Sequence, residues 1–346
     1  MTHQEAAPEP AGAAAAVAEP PLLDVRDLRV EFRTRDGVAK AVNGVSYHVA
    51  RGQTLAVLGE SGSGKSVTAQ AVMGILDSPP GFLTGGEIVF QGRDLLTLRR
   101  EERRRIRGAK MAMIFQDALS SLNPVLSVGA QLGEMFQVHE GVSRKEARAR
   151  AVELMERVKI PAARERVGDY PHQFSGGMRQ RIMIAMALAL GPDLIIADEP
   201  TTALDVTVQA QVMDLLAELQ RELTMGLILI THDLGVVADV ADTIAVMYAG
   251  RIVETAPVHQ LYKAPAHPYT RGLLDSIPRL DQKGRQLYAI KGMPPNLTAV
   301  PPGCPFHPRC PLVRDVCRTD PPPLYEVGPG RTSACHFWKE TLDGAR

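Results

Sequence analysis

The sequence predicts an α/β fold on three observations. Leu194–Ala197 and Leu227–Thr231 are continuous apolar runs of the kind strands show when a parallel sheet is buried on both faces. Helical segments, Met178–Leu190 and Val208–Leu223, stand between or beside those runs. A further apolar strand, Thr54–Leu58, ends in a glycine-rich turn that opens a helix. At 346 residues the chain holds about two domains.

Residues 1–21 are Ala, Pro and Glu with few large apolar side chains, too little apolar surface to offset the entropy of ordering, so a disordered tail is expected there. From Leu22 short β-type runs begin, Leu28–Phe32 and Val45–Val49, followed by Thr54–Leu58. Ser66–Leu76 reads as a helix, Asp77–Gly86 as a Pro/Gly loop, and Glu87–Gln91 as a strand turning at Gly92. Met111–Phe115 is another expected strand. From about Asn123 to Tyr170 the pattern is helical, with Val128–Val138 and the charged amphipathic stretch Arg144–Val158, broken by Pro161. It reads as a helical insertion, residues 120–172 in round terms, within a main domain over 22–257. After Pro257 proline density rises and periodicity fades, so a small cysteine-containing appendage is expected over 258–346. No internal repeat at a solenoid period is evident.

Charge and hydropathy narrow the function classes. Lys plus Arg and Asp plus Glu both number 39, so no whole-chain field draws the protein to nucleic acid or anionic lipid. The basic run Arg99–Arg105 is interleaved with Glu101 and Glu102 and lacks aromatics, which favours a solvated helix face over a nucleic-acid patch. The longest apolar run, Ile182–Leu190, stops at Gly191-Pro192, short of the roughly 18 residues that cross a bilayer. The opening MTHQEAAPEP has no basic n-region, and the Ala-rich stretch after it lacks a signal's large apolar residues, so a cytosolic protein is expected. All four cysteines fall after residue 303, and in a reducing compartment they are thiols or metal ligands.

Gly59-Glu60-Ser61-Gly62-Ser63-Gly64-Lys65-Ser66 matches G-x-x-x-x-G-K-[ST] between a strand and a helix, the context in which the pattern is a Walker A loop rather than a glycine-rich turn. Its glycines let backbone N–H groups from Gly62 to Val67 point inward around a β-phosphate at the positive helix terminus. Lys65 would reach the β- and γ-oxygens, and Ser66 would offer its hydroxyl to Mg²⁺. Leu194–Glu199 is an apolar strand delivering two carboxylates at its C-terminal end, where open α/β sheets bind ligands. Asp198 suits the Mg²⁺ shell, and Glu199 suits a general base for the attacking water.

Phe174-Ser175-Gly176-Gly177-Met178-Arg179-Gln180-Arg181 resembles the signature motif of ABC-type ATPases. That resemblance implies a P-loop ABC ATPase cassette with a parallel core sheet, an antiparallel β subdomain and a helical subdomain. It also implies that Ser175 and Gly177 close over the γ-phosphate held by a second subunit. The other family elements follow in order: Gln116 in Ile-Phe-Gln-Asp as the Q-loop, Ala203-Leu204-Asp205 as the D-loop, and His232 in Thr231-His232-Asp233. In the family's terms His232 contacts the γ-phosphate and aligns water with Glu199, and Gln116 touches Mg²⁺ and senses the helical subdomain. The family also stacks an aromatic on adenine, for which Phe32, or else Tyr47, is the candidate.

Phe115-Gln116-Asp117 through Ser120-Ser121-Leu122-Asn123-Pro124, the run Ala197–Gln209, and His267-Pro268-Tyr269-Thr270 look like the ATP-binding subunits of oligopeptide and dipeptide permeases. Met178, where most ABC proteins have Gln, resembles the D-type rather than the F-type subunit. The resemblance implies a heterodimer with an F-type ATPase subunit, two transmembrane permease subunits, an extracytoplasmic peptide-binding protein, and a place on the inner face of the membrane. Rivals are the same machine carrying nickel or another small solute, an ABC ATPase acting on nucleic acid or ribosomes, and a non-catalytic regulatory cassette. Cys304, Cys310, Cys317 and Cys335 lack the C-x₂₋₄-C start of structural zinc sites, and a disulfide is disfavoured in the cytosol. Four thiolates with Cys-Pro steps suit iron and sulfur better. Family members with a similar Cys-Pro-Phe-x-x-Arg-Cys tail imply a [4Fe–4S] cluster, with zinc aided by His307 or His336, or reduced thiols, as the alternatives. The expected cofactors are thus ATP, Mg²⁺ and this cluster.

Overall fold

The protein is seen in a computed structural model that describes residues 20–117, 121–202, 204–277 and 289–344. Most of the tail expected over 1–21, and Ser120 and Ala203 of the motifs, lie outside those residues. The chain opens with an antiparallel sheet in the order β2-β1-β4-β5, from β1 (Leu23–Thr34), β2 (Gly37–Val49), β4 (Gly81–Phe90) and β5 (Arg93–Asp94). The larger sheet runs β11-β12-β10-β9-β3-β8-β7-β6. Its centre is parallel: β3 (Thr54–Leu58) lies between β8 (Gly226–Ile230) and β9 (Thr243–Tyr248), with β7 (Leu194–Asp198) and β6 (Met111–Ile114) beyond β8.

The central strands read as unbroken apolar runs because alternate side chains enter two different cores. Ala56, Leu58, Ile195, Ala197, Leu227 and Leu229 point into one, shared with the helices. Leu55, Val57, Leu194, Ile196, Ile228 and Ile230 point into the other, against the antiparallel sheet and α1 (Lys65–Met73). The basic run forms α2 (Arg100–Ile106), which has no buried residue. Between β6 and β7 come α3 (Val128–Glu140), α4 (Arg144–Arg157), the single turn α5 (Ala163–Arg166) and α6 (Gly176–Leu188). Ser127, Ser143 and Ser175 cap α3, α4 and α6, each accepting a backbone N–H of the first turn. Asp205 and Asp233 do the same for α7 (Val206–Leu223) and α8 (Leu234–Val240).

Three features were not foreseen from the sequence, the first being that β4 starts at Gly81, inside the stretch expected as a Pro/Gly loop. β9 and β10 (Arg251–Pro257) form a hairpin through Ala249 and Gly250, both at positive φ. That backbone suits a tight primed turn but lacks the usual Asn-Gly signature. The stretch expected as an appendage also extends the main sheet. After α9 (Val258–Lys263), α10 (Pro268–Asp275) and α11 (Asp315–Thr319), β12 (Arg331–Ser333) pairs onto β10 and β11 (Tyr325–Gly328) onto β12, and α12 (Trp338–Asp343) follows. Glu254 on β10, fully buried, accepts the N–H groups of Ala266 at 2.7 Å and His267 at 2.9 Å, pinning the entry to α10. Among the described residues no helix is long and apolar enough to cross a membrane.

His267 caps α10: its Nδ1 accepts Tyr269 N–H at 3.1 Å, and its buried ring packs on Phe306. Burial pushes its pKa down to about 3. Below pH 6.5 the unfolded chain therefore takes up a proton that the folded chain refuses, so this contribution to stability is present above pH 6.5 and is lost as pH falls toward 3. Unfolding free energy should drop by about 2 kcal/mol between pH 7 and 5 from this group. His267→Asn keeps a capping oxygen without the titration. It should flatten that slope in urea melts at the two pH values, and an unchanged slope would show that another group sets it.

Candidate active site

The glycine-rich turn leaves β3 and enters α1, with Gly64 as N-cap. Two glycines there are demanded by the packing. A Cβ on Gly59 (φ 153) would stand 2.3 Å from Met247 O, and one on Gly64 (φ 104) would stand 2.3 Å from Ala41 O. The loop is thus pressed on the end of β9 and on β2, leaving its other side to an open cleft lined by Glu60–Val67, Gln116, Glu199 and His232. Ser63 Oγ is buried with no hydrogen-bond partner among the described residues.

Lys65 is buried, and its Nζ donates to Gly59 O at 2.8 Å and Glu60 O at 3.0 Å. Burial lowers its pKa, and the carboxylates of Glu199, Asp198 and Glu60 oppose that shift. Ser66 Oγ donates to Asp198 Oδ1 at 3.0 Å. Burial raises the Asp198 pKa, with Ser66 and Lys65 pulling it back and Glu199 adding to the rise. A hydroxyl and a carboxylate oxygen this close form the hard-oxygen pair that Mg²⁺ accepts, so the residues fit the ion.

Glu199 follows β7 at φ 47, a left-handed backbone unusual for a residue with a side chain. Its N–H donates to Ile230 O at 2.8 Å, which ties the turn to the end of β8. One carboxylate oxygen accepts from Gln116 Nε2 at 3.1 Å and Thr202 Oγ1 at 3.0 Å; the other lies 3.4 Å from His232 Nδ1. The structure therefore brings Lys65, Ser66, Asp198, Glu199, Gln116 and His232 to one cleft at the C-terminal ends of β3, β6, β7 and β8. Ser175 and Gly177 lie apart, at the start of α6, where a Cβ on Gly177 would meet Val208 Cγ1 at 2.5 Å. Phe32 sits in β1, opposite Ala39 and Gly81, packed on the second core, whose buried members include Tyr47.

The expected [4Fe–4S] site at Cys304, Cys310, Cys317 and Cys335 is corrected. All four are free cysteines, and among the described residues no group of three or more His, Cys, Asp or Glu is placed to hold a metal ion. The thiols line an apolar pocket with Phe306, Leu312 and Phe337. Burial raises Cys304, pushes Cys310 up to about 11 and pushes Cys335 up to about 12. The neutral thiol is favoured there, whereas a metal takes the thiolate.

Three residues were not singled out as site residues from sequence: Thr202, Tyr269 and Arg309. Tyr269 was visible only as part of His-Pro-Tyr-Thr and Arg309 only as part of the cysteine tail. Tyr269 Oη accepts the N–H of Glu60 at 2.8 Å, and Arg309 is ion-paired with the same residue.

Residues 42–202 match the ABC transporter family, and residues 253–317 match the oligopeptide/dipeptide transporter C-terminal region. The chain is 52% identical over 322 residues to the oligopeptide transport ATP-binding protein OppD of Bacillus subtilis, covering 93% of this chain and 88% of that protein. It is 53% identical over 296 residues to the dipeptide transport ATP-binding protein DppD of Bacillus subtilis, covering 86% and 88%. Among solved structures it resembles the ATP-binding cassette MJ0796 in a dimeric post-hydrolysis state bound to ADP and Pi. That match has TM-score 0.61 and 26% identity, over 68% of this chain and 98% of the other.

The loop packing makes a graded expectation. Gly62 (φ 77) has nothing within 4 Å of an added Cβ, whereas Gly64 has both positive φ and a carbonyl in the way. Gly62→Ala should cost about 1 kcal/mol of unfolding free energy, and Gly64→Ala about 3 kcal/mol or more, measured in urea melts. Equal costs would mean that the loop is not held against Ala41.

Proposed function

Because this chain belongs to the family of oligopeptide and dipeptide transport ATP-binding proteins, we propose that it is the ATP-hydrolysing subunit that energises peptide import across the cytoplasmic membrane. The observation that carries the chemistry is the convergence of Lys65, Ser66, Asp198, Glu199 and His232 on one cleft beside the N-terminus of α1. The peptide cargo of the named relatives favours this reading over a nickel carrier and over an ATPase acting on nucleic acid or ribosomes.

The loop from Gly59 to Val67 would cradle the phosphates through backbone N–H groups, aided by the helix terminus, with Ser61 at its rim and Ser63 buried within it. Lys65 would exchange its two carbonyl acceptors for phosphate oxygens. Ser66 and Asp198 would hold Mg²⁺, with Gln116 beside them, and the ion would supply charge neutralisation to the phosphate oxygens. Glu199 would take the proton of the attacking water. His232 and Gln116 flank its two oxygens and would hold the carboxylate in line. Phe32 is proposed as the adenine-stacking ring.

Ser175 and Gly177, remote from this cleft, fit a role in trans: each would complete the site of a partner cassette. We place that partner as an F-type subunit, with residues 22–257 as the nucleotide-binding domain, the helices around 120–172 as its helical subdomain, and 258–346 as the C-terminal domain. Two permease subunits and an extracytoplasmic peptide-binding protein would complete the machine. The chain would then sit on the inner face of the membrane.

Two variants separate binding from chemistry in the assembled transporter. Glu199→Gln should lower kcat about 100-fold or more while MgATP still binds. Lys65→Ala should abolish high-affinity binding. Unchanged steady-state hydrolysis in Glu199→Gln would show that this carboxylate is not the base, and hydrolysis indifferent to transported peptide would count against the cargo.

A further inference from the structure

Glu60, the second residue of the glycine-rich loop, is held at all three of its polar ends. Its N–H donates to Tyr269 Oη at 2.8 Å, and its C=O accepts from Lys65 Nζ at 3.0 Å. Its carboxylate makes a two-pronged ion pair with Arg309, at 2.6 Å from Nη1 and 2.9 Å from Nη2. The Arg309 side chain is only 5% exposed. Its Nε donates to Lys291 O at 3.2 Å, and its Nη1 lies 3.4 Å from Tyr248 Oη. Behind this pair the rings of Tyr248, Tyr269 and Phe306 pack on one another with centroids 4.7 to 5.4 Å apart.

We infer that Arg309 and Tyr269 are positioning residues for the phosphate loop, through which the C-terminal region sets the affinity of the site for nucleotide. The inference rests on the reading of that loop as the phosphate site. Two physical consequences support it. Glu60 O is one of the two carbonyls that aim the Lys65 ammonium, so any displacement of Glu60 displaces the cation meant for the phosphates. Glu60 is also one of the residues lining the cleft, so its carboxylate left unpaired would add negative charge beside a bound polyanion. The buried guanidinium cancels that charge and, being planar and bidentate, fixes its direction as well. The Tyr269 hydroxyl holds the same peptide from the backbone side.

The test is the Kd for MgATP on the full chain, read by displacement of a fluorescent ATP analogue, for wild type, Arg309→Met, Glu60→Gln and the double variant. Arg309→Met should weaken binding about tenfold, and the double variant should recover most of that loss because the stranded carboxylate is gone. In the assembled transporter the Arg309→Met loss should appear in KM rather than kcat. Wild-type affinity in Arg309→Met, or a double variant that binds no better than Arg309→Met, overturns the inference, since a merely structural role for Arg309 predicts no rescue. Should Arg309→Met fail to fold, Tyr269→Phe removes only the acceptor for Glu60 N–H. It should weaken binding about threefold, and no change overturns the proposal. Wild-type binding that Lys65→Ala leaves intact overturns the phosphate-site reading and this inference with it. Lys65-dependent binding indifferent to Arg309 and Tyr269 overturns this inference alone.

Discussion

A buried ammonium ion organises this protein. Lys65 lies at the start of a helix, where the helix's own terminal charge is positive and a cation is least welcome. Burial drives it toward its neutral form, and three carboxylates and two carbonyls hold it charged. Those groups come from distant parts of the chain: Gly59 and Glu60 from the loop after β3, Asp198 and Glu199 from the end of β7. The loop must pass so close to β2 and β9 that Gly59 and Gly64 tolerate no side chain. On the proposed function, a cation held this way would trade its carbonyl partners for phosphate oxygens.

Delivery of the anionic partners depends on the two-sided sheet. Alternation along β3, β7 and β8 fills the cores on both faces, so the strands have no solvated side and their C-terminal ends are fixed relative to one another. The left-handed turn at Glu199 then redirects its carboxylate toward Gln116 and His232 while its N–H is tied to β8. Strain of this kind persists where the surroundings over-determine the backbone, and functional sites are where it collects. On the far side of the loop, the C-terminal strands lengthen the same sheet, and Arg309, in the segment before them, pairs with Glu60. The glycine-rich loop is therefore held against β2 and β9 and, through Glu60, by Arg309 of the C-terminal region.

Much of this was legible in the residues. The apolar runs marked the central strands because two-sided burial leaves no room for polar alternation. The glycine-rich loop and the Asp198-Glu199 pair were legible because phosphate chemistry restricts residue type at fixed spacing. The positive φ of Glu199 was not, since nothing in a Glu codes for it. The hairpin at Ala249-Gly250 escaped because its turn lacks an Asn or Asp. Arg309 escaped because its partner is 249 residues away. The cysteines misled for a different reason: their count and Cys-Pro steps describe composition, whereas the fold sets them around an apolar pocket beside Phe306, where burial favours the neutral thiol at Cys304, Cys310 and Cys335. Ser175 and Gly177 stand away from this chain's own cleft.

The central claim is that the loop from Glu60 to Val67 grips phosphate with its backbone. Amide hydrogen exchange on the full chain, with and without MgADP, addresses it directly. The account predicts that exchange slows most across residues 61–67, with a smaller slowing at Glu60 and in the segment around Arg309 that holds it. Unchanged exchange across 61–67 at saturating nucleotide, with protection appearing elsewhere, would contradict it.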